Sequence, residues 1–248
     1  MQHFGIIGKP LGHSRSQQYF EARFAAEGVQ ADYTVHELER IEDVVPLLDR
    51  LDGMNVTSPY KEAIMPYLDR IDETAREIGG VNVVYHHCGY NTDWIGATAA
   101  IEPLAMSHEP KANSQKPRAE QALVLGTGGA ARAVKYALEK LGMKVRIVSR
   151  DKKKGDLTYG ELTEEIMKQC RVIANCTPLG MQPHEDEKPD IPYEWITTRH
   201  VLFDCIYNPE KTKFLEEGEK RGAQIVNGYA MFVAQAKEAW NIFIGVKE

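Results

Sequence analysis

The chain has 248 residues, 43% of them hydrophobic and 27% charged, with 20 glycines and 12 prolines, a balance that excludes collagen-like, coiled-coil and wholly disordered chains and leaves one large or two smaller α/β domains open. With 30 Lys+Arg against 36 Asp+Glu the formal net charge is −6, which argues against a surface built for nucleic acid but permits a local basic pocket. No apolar run approaches the roughly 18 residues of a membrane helix, and residues 1–10 lack a charged stretch leading into a long apolar one, so a cytoplasmic protein without a membrane or nucleic-acid partner is expected.

Taken in chain order, residues 4–8 read as a strand that runs into a Gly/Pro loop ending at Ser14, and residues 17–27 as a helix. Residues 32–36 read as a strand, 41–51 as a helix, 53–57 as a strand stopped by Ser58-Pro59, 61–68 as a short helix and 81–85 as a strand. Asn91-Thr92-Asp93 is a turn in which Thr92 or Asp93 can cap the helix that follows. The polar stretch 106–117, with two prolines and no apolar period, is the linker of the chain. Residues 121–125, 127–141 and 144–148 then form a strand, a helix and a strand, a βαβ unit. Residues 172–175 and 201–204 read as buried strands of a parallel sheet, and residues 227–245 as a closing helix. Cys88, Cys170, Cys176 and Cys205 include no C-x-x-C pair and read as reduced thiols. The eight histidines form no H-E-x-x-H pattern, and His86 and His87 would face opposite sides of a strand, so no metal is expected.

Gly126-Thr127-Gly128-Gly129-Ala130-Ala131 satisfies G-x-G-x-x-G/A, and it sits between a strand and a helix, the context that makes the motif a dinucleotide fingerprint. Gly126 permits the tight turn, Gly128 lets backbone approach a pyrophosphate, and Ala131 allows close helix–strand packing, with the phosphate at a helix N-terminus. The next strand ends at Ser149-Arg150, where an NAD-binding domain places an acidic residue. A guanidinium there suits a 2′-phosphate, which shifts the cofactor from NAD to NADP. Asp151 is an awkward neighbour for that phosphate. Lys152, Lys153 and Lys154 either offset it or form a solvated turn.

Four polar clusters fall in the first hundred residues: His13-Ser14-Arg15-Ser16, Asn55 to Lys61, Gly80-Val81-Asn82 and Gly89 to Asp93. Each alone is turn chemistry as often as catalysis. Together they set hydroxyls, amides, an ammonium and a carboxylate at strand ends of an α/β domain, where such folds place ligands. With Gly8 to Ser16, Asn55 to Lys61, Asn91-Thr92-Asp93, the glycine loop, Asn175 to Met181 and Gly228 to Ala236 in order along the sequence, the chain resembles the shikimate dehydrogenase family over nearly its whole length.

That resemblance implies two α/β domains: a substrate domain over 1–104, completed by 227–248, and a Rossmann-like domain over 105–226, with the active site in the cleft between them. It implies NADPH-dependent reduction of 3-dehydroshikimate to shikimate, a step of aromatic amino acid biosynthesis. Ser14 and Ser16 would hold the substrate carboxylate, Thr57, Lys61, Asn82, Asp93 and Gln235 would contact ring hydroxyls, and Tyr207 would lie near the substrate. Gly126, Gly128, Gly129, Ala130, Ser149, Arg150 and Thr177 would hold NADP(H), with Gly228 beside the nicotinamide. Lys61 and Asp93 would form the catalytic pair: a hydride delivered to a ketone builds charge on its oxygen, and a lysine oriented by a carboxylate can stabilise that charge or supply a proton. Gln17, Val83 and Ser149 depart from the family pattern, and the stretch 151–174 is short for it, so a strand or helix is expected to be trimmed there. A quinate/shikimate dehydrogenase using NAD, a non-catalytic sensor of a shikimate-like acid, and a monomeric or homodimeric state all remain open.

Overall fold

The structure, a computed structural model, describes residues 1–12, 14–106 and 120–245. His13 and nearly all of the expected linker at 106–117 therefore lie outside the described residues. The chain divides into two compact units, Met1–Asp93 with the segment from Ala234 onward, and Trp94–Val233.

The first unit contains β1 (Gln2–Gly8), α1 (Ser16–Glu27), β2 (Ala31–Glu37), α2 (Val45–Arg50), β3 (Gly53–Val56), β4 (Arg70–Ile71), α3 (Glu73–Ile78), β5 (Val83–Tyr85) and β6 (Cys88–Tyr90). Its sheet has the order β2-β1-β3-β5-β6-β4. β1 pairs in parallel with β2 and β3, whereas β5 runs antiparallel to both β3 and β6. α1 buries Phe20 and Phe24, one turn apart, and ends at Gly28 with φ 67°, the left-handed stop that favours glycine.

The second unit takes all but the first residue of α4 (Asp93–Ala105), followed by β7 (Gln121–Leu125), α5 (Gly129–Lys140), β8 (Lys144–Val148), α6 (Glu164–Gln169), β9 (Cys170–Asn175), β10 (Val201–Asp204), α7 (Lys213–Glu219) and β11 (Gln224–Val226). All five strands are parallel, in the order β11-β10-β9-β7-β8. β9 is buried along its whole length, as a central strand covered on both faces must be. A doubly wound dinucleotide fold has the order 3-2-1-4-5-6; here the place of strand 3 beside β8 holds only the isolated bridge Val148–Leu157. The chain finally enters α8 (Tyr229–Phe243), whose residues up to Val233 belong to the second unit and whose remainder belongs to the first. The unit boundaries thus fall inside α4, after Asp93, and inside α8, after Val233, whereas the sequence reading places them at 104 and 227.

In the first unit one face of the sheet packs Phe4, Phe20, Phe24 and Tyr33 against Trp240 and Phe243, and the other packs Ile7, Leu47, Met54, Val56 and Ile64. Prolines explain two departures from the expected helices. Residues 41–51 split into a 3₁₀ turn, Ile41–Val44, and α2, because Pro46 near the start of α2 has no N–H to continue the earlier turn. Residues 61–68 form turns ending in a 3₁₀ turn, Met65–Tyr67, with bonds from Met65 N to Glu62 O and from Tyr67 N to Ile64 O around Pro66. His86 and His87 do not sit in a strand: with φ of 45° and 58° they make the two-residue turn between β5 and β6, where both positions must be left-handed. No helix among the described residues is long and apolar enough to cross a membrane.

Candidate active site

In the first unit the topology brings the polar clusters to one sheet edge. β1 and β3 are parallel neighbours, so the loops after Gly8 and after Val56 leave the same end of the sheet, tied by Thr57 N to Ile7 O at 2.9 Å and Lys9 N to Ser58 O at 2.9 Å. β5 runs the opposite way, so Asn82, just before it, returns to that end and its carbonyl accepts from Val56 N at 2.9 Å. The turn after β6 emerges there too, with Asn82 N bonded to Tyr90 O at 3.0 Å.

The side chains at this edge form a closed polar network. Lys61 Nζ donates to Asp93 Oδ2 at 2.5 Å, and the two side chains are 16% and 7% exposed, so this ion pair is far less screened than a surface one. Asn82 Nδ2 lies 2.9 Å from Asp93 Oδ1, 3.0 Å from Thr92 Oγ1 and 3.2 Å from Gln235 Oε1. Asn82 Oδ1 in turn accepts from Thr92 N at 2.7 Å. Lys61, Asn82, Asp93 and Gln235 are therefore one cluster, with Gln235 delivered from α8. Asn91, rather than Thr92 or Asp93, supplies the side-chain oxygen for the start of α4: its Oδ1 accepts from Asp93 N at 3.1 Å and its Nδ2 donates to Gly80 O at 2.7 Å. That frees the Asp93 carboxylate to face Lys61.

Ser14 and Ser16 flank the entry to α1. Ser14 Oγ accepts from Ser16 N at 3.3 Å, while Arg15, the N-cap residue, makes no side-chain cap. Ser16 is buried, next to the fully buried Tyr33, whose hydroxyl donates to Asn55 Oδ1 at 2.6 Å. Burial pushes the Tyr33 phenol well above its ordinary range, and its hydrogen bond with Ser16 only partly offsets this, so it remains a donor. Thr57 is half-buried just beyond β3.

The second unit carries the other group. Gly126 has φ 112°, and a Cβ there would lie 2.9 Å from Cys176 O, so both conformation and close approach demand glycine. Gly128 is the N-cap of α5, with no side-chain cap and open space where a Cβ would point. The first N–H groups of α5, from Gly129 and Ala130 on, have no intrahelical partners. This bare loop at a helix N-terminus suits a phosphate anion. Ser149 is buried and its Oγ accepts from Asp151 N at 3.1 Å. Arg150 is exposed, and no ion pair holds it among the described residues.

The carboxylate of Asp151 is turned into its own loop, accepting from Lys153 N at 2.9 Å. Lys152 does not offset Asp151: it pairs with Glu161 at 2.6 Å, and its hydrogen bond, with those of Thr158, holds that carboxyl down at about 2. Thr177 is oriented by the buried Asn175, whose Oδ1 accepts from Thr177 N at 3.0 Å and Oγ1 at 2.7 Å. Asn175 Nδ2 donates to Asp204 Oδ1 at 3.2 Å. Tyr207 and Gly228 also belong to this unit; Tyr207 packs on Phe232 with ring centroids 5.4 Å apart. The candidate residues thus form two groups on two units, the substrate-side residue Tyr207 lying with the cofactor-side ones. Sequence reasoning gave no place in the site network to Thr92, Asn91, Tyr33 or Asn175. The first two and Asn175 at least lie inside quoted motifs, whereas Tyr33 carries no signal beyond a strand position. Among the described residues no group of three or more His, Cys, Asp or Glu is placed to hold a metal.

Residues 6–84 match the family profile described as the shikimate dehydrogenase substrate binding domain. The chain is 36% identical over 261 residues to the shikimate dehydrogenase (NADP(+)) of Aquifex aeolicus, covering 98% of this chain and 91% of that protein. The crystal structure of shikimate dehydrogenase from Aquifex aeolicus superposes with a TM-score of 0.83 at 34% identity, covering 99% of this chain and 93% of that one. The Thermus thermophilus shikimate 5-dehydrogenase, solved in complex with NADP(H) and shikimate, also gives a TM-score of 0.83, at 27% identity over 99% of this chain and 94% of that one.

Proposed function

Because this chain belongs to the shikimate dehydrogenase family, we propose that it catalyses the reversible NADPH-dependent reduction of 3-dehydroshikimate to shikimate. The observation that carries the reading is the Lys61–Asp93 pair, bonded into one network with Asn82 and Gln235. The glycine loop, with its bare helix start and the exposed Arg150 one strand away, fits a dinucleotide bearing a 2′-phosphate. When bound, NADPH supplies the hydride. Lys61 meets the ketone oxygen as charge builds there, stabilising it and donating a proton. Asp93 fixes the ammonium and accepts from a neighbouring ring hydroxyl, while Asn82 and Gln235 supply further amide contacts. Thr57 adds a hydroxyl from the same sheet edge, and the Ser14 and Ser16 hydroxyls bind the carboxylate. On this reading the first unit is the substrate domain and the second the NADP domain, with Gly126, Gly128, Gly129 and Ala130 on the phosphates, Ser149 and Arg150 on the adenosine side, and Thr177, Tyr207 and Gly228 toward the reacting end. The enzyme acts in the cytoplasm on a small molecule.

The test is shikimate oxidation followed by absorbance, with NADP⁺ and NAD⁺ in parallel and quinate as a second substrate. Shikimate with NADP⁺ is expected to give the highest kcat/KM. An equal or higher value with NAD⁺ would reject the role given to Arg150. Shikimate binding without turnover under either cofactor would turn the reading into that of a ligand sensor.

A further inference from the structure

Two thiols that the proposed reaction does not use lie side by side. Cys176 and Cys205 each follow the last residue of a strand, Asn175 of β9 and Asp204 of β10, and those two residues are register partners. Cys205 N donates to Asn175 O at 3.0 Å, so the two chains are still at ladder spacing where the cysteines begin. Neighbouring strands lie about 4.8 Å apart, within the Cα separation that disulfides span. The sulfur atoms are 3.4 Å apart, and both cysteines are free and half-buried.

We propose that Cys176 and Cys205 form a redox modification site, in which a hydroperoxide converts the dithiol to an intramolecular disulfide and so weakens cofactor binding. The two sulfurs share one hydrogen bond, so either can attack first with the same product; Cys205 is taken as the attacking thiol. Its thiolate attacks the terminal peroxide oxygen; the O–O bond breaks, a sulfenic acid forms and the alcohol leaves. The Cys176 sulfur then attacks the Cys205 sulfur; the S–S bond forms, the S–O bond breaks, and hydroxide leaves as water with the Cys176 proton. Two thiols and one hydroperoxide yield one disulfide, one alcohol and one water.

The consequence follows from what touches the two cysteines. The position of a Cβ on Gly126 is 2.9 Å from Cys176 O, and that on Gly228 is 2.1 Å from Cys205 O, so both glycines rest on the peptide groups that the new bond pulls. Closing the sulfurs to about 2.05 Å shifts those peptides, and a close-packed interior passes the shift on. The effect on the cofactor rests on the proposed NADP-binding role of Gly126 and Gly228; the disulfide itself does not.

Full-length protein is treated with hydrogen peroxide, then analysed by non-reducing peptide mapping and by NADPH fluorescence titration. Expected are a linked 176–205 peptide pair lighter by two hydrogens, a rise in the NADPH dissociation constant of about tenfold or more, and reversal by dithiothreitol. Cys176→Ser and Cys205→Ser should each keep the reduced protein's affinity after peroxide, whereas Cys88→Ser should respond as the parent does. Cys176 and Cys205 remaining alkylatable after peroxide would overturn the site, and a formed disulfide with unchanged NADPH affinity would overturn its consequence. Failure of the reduced protein to bind NADPH would instead count against the functional reading, while the mapping still decides the dithiol.

Discussion

Removing the Lys61 ammonium would leave a carboxylate that is 7% exposed facing, among the described residues, only the amide of Asn82. Lys61→Ala is therefore expected to lower kcat by a factor on the order of 10²–10⁴. The NADP⁺ dissociation constant should stay nearly unchanged, since the glycine loop is untouched; steady-state kinetics with cofactor titration checks both, and near-parental turnover would reject the role. A second titratable group acts on stability instead of chemistry. Asp204 is fully buried, and burial raises its carboxyl to about 6 against the hydrogen bonds from Thr212, Ile206 N and Asn175. The unfolded chain loses that proton near pH 4, so between roughly pH 4 and 6 the folded state binds a proton that the unfolded state has released. Stability from this group is full below that window and falls as pH rises through it. Asp204→Asn removes the dependence, and the parent's unfolding free energy minus the variant's should decline from pH 4 to 7 in urea titrations. A difference that stays level across the window would contradict the assignment.

Among the elements, the loop between β7 and α5 is constrained in both conformation and space. Gly126→Ala must accept both φ 112° and a carbonyl 2.9 Å from its new methyl, a strain on the order of 1–3 kcal/mol. Expected are a lower Tm and a weaker NADPH affinity, read by thermal unfolding and fluorescence titration; a loop that tolerates alanine with full affinity would show that glycine is not required. The same loop was legible in the sequence because residue type, spacing and the flanking apolar runs all agree. β1, β7, β9 and β10 were legible for the same reason, as short apolar runs rich in Val, Ile, Leu and Phe that buried strands require. β4, β6, β11, α3, α6 and α7 have two to seven residues each, too few for a period to register. The stretch 61–68 has a helical pattern that Pro66 overrides, and the left-handed pair His86-His87 uses residues that do not announce a turn. At the site, types and motifs were readable but partners were not, since the contact of Asn82 with Gln235 spans 153 residues of sequence.

At the scale of the molecule, α8 gives the first unit more than a glutamine. Trp240 is 1% exposed in that unit's core, 5.6 Å from the Phe24 ring, and its Nε1 donates to Glu27 at 2.9 Å. Trp240→Ala is expected to cost about 3–5 kcal/mol, borne by the first unit because its contacts lie there. Near-ultraviolet circular dichroism and turnover should collapse at a temperature where the second unit, on its proposed role, still binds NADPH; loss of both together would mean that the units do not respond separately. The interrupted path of the chain also sets an order of events. Protein is made from its N-terminus, and domains tend to fold as units while synthesis proceeds. Residues 94–233 are all present before Gln235 or Trp240 emerges, so the second unit can be finished while the first 93 residues still wait for their last helix. On the proposed assignment of the units, a nascent chain would acquire its hold on the coenzyme before its power to reduce anything, and the ribosome completes last the unit that it began with.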